Sequence, residues 1–241
     1  MTYKLPQKAR ELVLYQRTSL LPARKKPNAF VRVLQKLNLL DDGYKEFVRE
    51  YATAKPTLID QDYFQSMGTL AEELLPHIPA DTTSILDIGC GIAGLDLFLY
   101  KRLKSPKLFL LDKTAVEEKI WYMFKQQGAF YNSLELAREN LQTNGVSADA
   151  IKCLEAPDDG CIDLPGKSID LVVSTISWGF HYPVSTYLAS VERILKEDGV
   201  LLIDVRKGPG GEADLATSFQ VETVFEGAKH QTIRATRKHK P

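Results

Sequence analysis

Ser84-Ile85-Leu86-Asp87-Ile88-Gly89-Cys90-Gly91-Ile92-Ala93-Gly94 is the most informative run in this chain of 241 residues. It opens as a short apolar stretch of the kind that forms a buried strand, and it breaks at a glycine. Gly89, Gly91 and Gly94 then fall in the spacing GxGxxG. Glycines there permit a tight turn and let a ligand approach the backbone. The motif has weight only between a strand and a helix. Residues 94–103 supply that helix.

The alternation continues outward from this turn. KLFLLD (107–112) reads as a second strand and SLELARENLQT (133–143) as a second helix, stopped by Asn144-Gly145. AIKCLE (150–155) is a weaker third strand and SIDLVVS (168–174) a fourth. TYLASVERILK (186–196) is an amphipathic helix, and VLLIDV (200–205) is a fifth strand. VETVFE (221–226), a turn at Gly227 and QTIRATR (231–237) read as a hairpin. Strands alternating with helices imply parallel units with right-handed crossovers, and unbroken apolar strands imply cover on both faces. The expected fold is α/β: a Rossmann-like, doubly wound, mostly parallel seven-stranded sheet with a C-terminal antiparallel hairpin and an N-terminal helical extension. Ligands of such sheets bind outside the carboxyl ends of the strands.

Toward the N-terminus, residues 7–20, 28–40 and 43–54 have helical character. Phe30, Val31, Leu34, Leu37 and Leu40 form one apolar face, and Pro22, Pro27 and Pro56 punctuate the pieces. Residues 63–75 predict a further helix. This divides the chain into a helical extension at 1–60, acting as a lid or acceptor-side element, and a binding and catalytic domain at 61–241. The composition is 44% hydrophobic and 26% charged with zero net charge, which is ordinary for a globular chain. Residues 1–60 carry 12 Lys/Arg against 6 Asp/Glu. That basic arm leaves a nucleic-acid partner open without favouring it over a solvated helix surface. Cys90, Cys153 and Cys161 make no CxxC pair, so neither a disulfide framework nor a metal site is expected. With no signal peptide and no apolar run of spanning length, the expected location is cytoplasmic.

Two acids sharpen the glycine turn. Asp112 closes the second strand 21 residues past Gly91. An acid about 20 residues on accepts hydrogen bonds from ribose hydroxyls. Asp87 ends the first strand inside the glycine turn, where a pyrophosphate would meet like charge. A cationic ligand is favoured instead. S-adenosylmethionine carries an ammonium and a sulfonium and no phosphate.

On DIGCGIAG (87–94), LFLLD (108–112), DLVVS (170–174) and the late hairpin, the chain resembles the class I S-adenosylmethionine-dependent methyltransferases over roughly residues 60–237. The resemblance implies that the glycine turn contacts the methionyl part and that the second-strand acid holds the ribose. Those roles fall on Asp87, Gly89, Gly91 and Asp112, with Cys90, Lys113 and Ser174 beside them. The adenine site would follow the third strand, where LEAPDDG (154–160) offers Glu155, Ala156, Asp158 and Asp159.

The acceptor side would lie after the fourth strand, in STISWGFHYP (174–183). The Asn/Asp-Pro-Pro-Tyr/Phe pattern of amino-methylating nucleic-acid enzymes is absent there. Trp178 and Tyr182 are of a type that walls a pocket, and His181 is of a type that accepts a hydroxyl proton. Trp178 and Phe180 also suit a core, and His181 a helix cap. The long connection 113–134, with Tyr131 and Asn132, exceeds the usual loop length and reads as pocket wall, lid or satellite cluster. The leading expectation is O-methylation of a small molecule, such as a sugar or other hydroxylated metabolite. The alternatives are an RNA or protein methyltransferase using the basic arm, and a non-catalytic cofactor-binding subunit.

Overall fold

A computed structural model describes residues 3–22, 43–114 and 132–238, with the backbone alone of 116–117, 121–122, 125–126 and 130–131. Five strands run parallel: β1 (Ser84–Ile88), β2 (Lys107–Asp112), β3 (Ile151–Glu155), β4 (Ile169–Ser174) and β5 (Leu195–Arg206). A closing hairpin, β6 (Phe219–Glu226) and β7 (His230–Arg237), joins antiparallel through β7 against β5. The order across the sheet is β6-β7-β5-β4-β1-β2-β3. The chain winds outward from β1 to β3 and then crosses back to β4. The reversal therefore lies between β1 and β4, and a crevice opens at their carboxyl ends.

Every residue of β1 is buried. Along the strands successive side chains alternate between two cores. Ile85, Leu108, Leu110, Leu171, Val173, Val200 and Leu202 enter one, together with helices α1 (Gln7–Gln16), α2 (Tyr44–Ala54), α3 (Pro56–Leu74), α4 (Gly94–Arg102) and α5 (Leu134–Thr143). Leu86, Ile88, Leu111, Val172, Leu201 and Ile203 enter the other, with α6 (Leu188–Ile194) and α7 (Gly211–Ser218). The expected seven-stranded α/β fold is thus observed, with the hairpin at one edge.

Three elements differ from the sequence reading. Helix α3 starts at Pro56, not at residue 63. Proline suits that first turn because its missing N–H has no intrahelical partner there. The helix runs through the expected boundary at 60–61, and Ala9, Val13 and Leu14 of α1 lie in the same core as β1. Strand β5 starts at Leu195, with a register shift between Leu195 and Val200, so the helix predicted to 196 ends at Ile194. Helix α7 went unpredicted. Its eight residues show no sustained period, yet Leu215 is buried and Glu212 and Asp214 lie in the first turn, where the helix dipole favours acids. The helix expected at 28–40 lies outside the described residues. Among the described residues, no helix is long and apolar enough to cross a membrane.

Candidate cofactor site and adjoining cleft

Gly89 and Gly91 both adopt positive φ, at 84° and 56°. The Gly89 N–H donates to Leu111 O at 2.7 Å, which pins the turn to the end of β2. A Cβ on Gly89 would stand 1.9 Å from Ser177 Oγ, so the loop after β4 presses directly on it. Over Gly91 lies Gln16 Oε1, 3.0 Å from where a Cβ would be. Over Gly94 lie the Tyr63 hydroxyl and Met67 Cγ, at 2.4 and 2.7 Å from such an atom. The N-terminal helices α1 and α3 therefore roof the glycine turn.

Three carboxyl groups are buried beneath that roof. Asp87, Asp96 and Asp112 are 3%, 0% and 6% exposed. Asp112 Oδ2 accepts the Gly91 N–H and Oδ1 the Lys113 N–H, each at 2.8 Å. Burial outweighs those bonds and pushes the Asp112 carboxyl up to about 7. Asp87 is raised well above the usual carboxylate range, first by burial and then by Asp96 and Asp112. Asp96 is pushed up to about 6, again by burial. Burial likewise raises the Cys90 thiol and the Tyr63 hydroxyl. Buried anions need a proton, a partner or a cation. The donor set suits an organic cation with hydroxyls: Asp87 for positive charge, Asp112 for a diol. Sequence reasoning missed Asp96, because an acid in the first turn of a helix reads as dipole compensation.

Of the other residues expected around the cofactor, Lys113, Glu155 and Ala156 gather at the ends of β2 and β3. Asp112 pairs in register with Glu155, and the Ala156 N–H donates to Asp112 O at 3.0 Å. Glu155 Oε1 accepts the Thr114 N–H at 2.6 Å. Lys113 Nζ meets Asp158 at 3.1 Å on the surface. Cys90 is buried in the glycine turn. Ser174 has a bracing role: its hydroxyl donates to Ile88 O at 2.7 Å and accepts the Trp178 N–H at 3.0 Å, tying β4 to β1.

The residues expected around the acceptor scatter. Trp178 is fully enclosed in the second core, and its indole N–H donates to Val184 O at 2.9 Å. The extended segment Ser177–Tyr182 turns it inward. His181 and Tyr182 are half-buried farther along that segment. The His181 ring packs edge-on against Phe180, and burial together with Arg206 lowers its pKa. Asn132 is buried and accepts from Gln16 Nε2 at 3.4 Å, close to the roof of the turn. The Tyr131 side chain lies outside the described residues, as do most of 115–131.

A cleft of about 540 Å³ opens instead between α3, the loop after β4 and the β6–β7 hairpin. Arg17, Met67, Ile176, Asp204, His230 and Thr232 are among its lining residues. It adjoins the glycine turn: Met67 also packs on Gly94, and Ile176 precedes the Ser177 that covers Gly89. Ile176 holds φ at 53°, a strained conformation for a β-branched residue. Asp204 fixes it there, accepting the Ile176 N–H at 3.1 Å on Oδ2 and the Thr232 hydroxyl at 2.6 Å on Oδ1. Burial raises the pKa of Asp204, which is 4% exposed. Sequence reasoning could not assemble this cleft, because its walls come from five separate parts of the chain.

No protein-family model matches the chain. It is 26% identical over 193 residues to the arginine-hydroxylase NDUFAF5, mitochondrial, of Rattus norvegicus, covering 79% of this chain and 49% of that protein. The chain thus spans about half the length of the curated relative it matches. Among solved structures, it is similar to the PH0226 protein of Pyrococcus horikoshii, with a TM-score of 0.55 and 15% identity over 73% of this chain and 91% of that one. A SAM-dependent methyltransferase from Aquifex aeolicus gives a TM-score of 0.50 and 17% identity, covering 71% and 97%. A Methanococcus maripaludis chain assigned as an S-adenosyl-L-methionine-dependent methyltransferase gives 0.50 and 15%, covering 91% and 99%. With its strand order, its edge hairpin and the glycine turn at the end of β1, the chain has the fold of the class I S-adenosylmethionine-dependent methyltransferases.

Proposed function

We propose that the chain binds S-adenosylmethionine on the glycine turn and transfers its methyl group to a hydroxyl of a small molecule held in the adjoining cleft. The observation that carries this reading is the buried carboxylate Asp87, set among left-handed glycines at the end of β1 and roofed by α1 and α3. Asp87 draws the cationic methionyl end. Asp112 accepts hydrogen bonds from the ribose diol through its remaining lone pairs. Glu155 and Ala156, at the end of β3, take the adenine edge. The cofactor supplies a methyl group on a good leaving group, so the protein's part is to align the acceptor and exclude water.

A hydroxyl acceptor also has to lose a proton. Asp204 suits that role better than His181, because Asp204 lines the cleft and His181 does not appear on its walls. Its raised pKa brings it nearer to that of a working base. Calorimetry should show binding of S-adenosylmethionine and of S-adenosylhomocysteine, with none of NAD. Incubation of metabolite extracts with methyl-labelled cofactor should give a labelled product, reduced about a hundredfold or more by Asp204→Asn. Binding of NAD in preference to S-adenosylmethionine would refute the reading.

The hydroxylase name of the curated relative supports a second reading, in which the same site hydroxylates an arginine side chain, one atom of dioxygen entering the product and an external two-electron reductant taking the other to water. The two chemistries separate cleanly. The first moves a labelled methyl group into the product, and the second adds one oxygen atom by mass.

A further inference from the structure

Asp87 and Asp96 come from different elements, β1 and the first turn of α4, yet their carboxyl groups face each other. Asp87 Oδ1 and both oxygens of Asp96 are buried and take no hydrogen bond from any donor elsewhere among the described residues. Two such carboxylates cannot both carry charge at low cost. One shared proton resolves this, turning the repulsion into a hydrogen bond between the two groups.

Among the described residues, the charged group that acts on the pair from outside is a further acid. From β2 the nearest titratable group is Asp112, a third acid. The turn itself contributes the Cys90 thiol, and α3 contributes the Tyr63 hydroxyl, whose neighbours include Asp96 and Cys90. Among the described residues, Arg17, after α1, brings a cation to this neighbourhood; its guanidinium lies 5.9 Å from the centre of the Tyr63 ring. Resting on the cofactor assignment above, we infer that Asp96 is a positioning residue that lends Asp87 a proton in the free protein, and that capture of the cationic cofactor expels this proton to solvent.

The balance is simple. The free protein holds one proton between two carboxyl groups. The cofactor arrives with its ammonium, Asp87 ionises toward it, and the proton leaves to the buffer. No covalent bond is made or broken. Burial raises both acids, Asp96 to about 6, which brings the exchange up from the usual carboxylate range toward neutral pH.

The test is titration calorimetry of the full chain with S-adenosylhomocysteine, which keeps the ammonium and has no sulfonium. The runs are repeated near pH 6 in buffers of different ionisation enthalpy. Wild type should release close to one proton per cofactor bound, and its affinity should rise about tenfold per pH unit below the pair's titration. Asp96→Asn should release far less and lose that pH dependence. The same variant should melt at a higher temperature without ligand and gain less from ligand than wild type does. A binding enthalpy that does not depend on the buffer would overturn the inference while leaving the cofactor assignment intact. So would unchanged proton release in Asp96→Asn, which would place the proton on Asp87 alone or on Asp112. Absence of any binding would refute the cofactor assignment itself, and this inference with it.

Discussion

Gly89 has two independent reasons to lack a side chain. Its φ lies in the left-handed region, and Ser177 occupies the space a Cβ would need. Left-handed strain costs about 1–2 kcal/mol and an overpacked contact about 1–3 kcal/mol. Gly89→Ala should therefore lower stability by about 2–5 kcal/mol and abolish cofactor binding, read by thermal melting and calorimetry. Retained affinity would mean that Ser177 moves aside. Asp112 gives a pH prediction. Its pKa is raised to about 7 in the folded protein, so the fold binds more protons than the unfolded chain does. Its stabilising share is full below the unfolded carboxylate value near 4 and is lost as pH rises through about 7. The melting temperature of the ligand-free protein should fall across that window, and Asp112→Asn should flatten the fall. At this scale the sequence was legible wherever chemistry is local. Asp87, Asp112 and the glycines announce themselves by spacing, whereas Asp96 matters only through a neighbour on another element.

At the scale of elements, the decisive contact is between the N-terminal helices and the binding turn. Arg10 of α1 makes a bidentate pair with Asp60 of α3, with both distances 2.8 Å and both side chains largely buried. Removing one member strands the other charge, at a cost of about 3–5 kcal/mol when such a pair is well buried. Arg10→Ala should lower stability by about 3 kcal/mol and also weaken cofactor binding, because α1 carries Gln16 over Gly91. A variant that loses stability but keeps full affinity would separate the roof from the site. The strands were readable because each is an unbroken apolar run covered on both faces. Helix α7 and the segment Ser177–Tyr182 were not, since neither carries a periodic pattern of its own. Trp178 shows the difficulty: an aromatic near a strand end looks the same in sequence whether it faces a cleft or a core. Burial by α6 and the hairpin decides which, and that burial is non-local.

For the whole molecule, the seven-stranded sheet is a rigid frame with its binding features on one edge. A ligand that binds only the folded chain stabilises it by mass action. At a hundred times its dissociation constant, the cofactor should add about 2.7 kcal/mol, which is roughly 5–10 °C for a chain of this size. Scanning fluorimetry with S-adenosylhomocysteine against NAD checks this, and equal shifts for the two would count against the assignment. The sheet order follows from the sequence because alternation and handedness leave few arrangements open. The cleft does not follow, since α3, the loop after β4 and the hairpin meet only when the sheet is assembled.

Ile176 sets what that assembly asks of a guest. The backbone there would be more comfortable with glycine, yet the chain keeps a branched hydrocarbon, 43% exposed, on the rim of the cleft. Ile176→Gly should thus stabilise the free protein by about 1 kcal/mol while removing that surface. A molecule held in that cleft would lie against this apolar side chain as well as the polar groups of Asp204 and His230, so the best guests should carry an apolar flank next to the group that reacts.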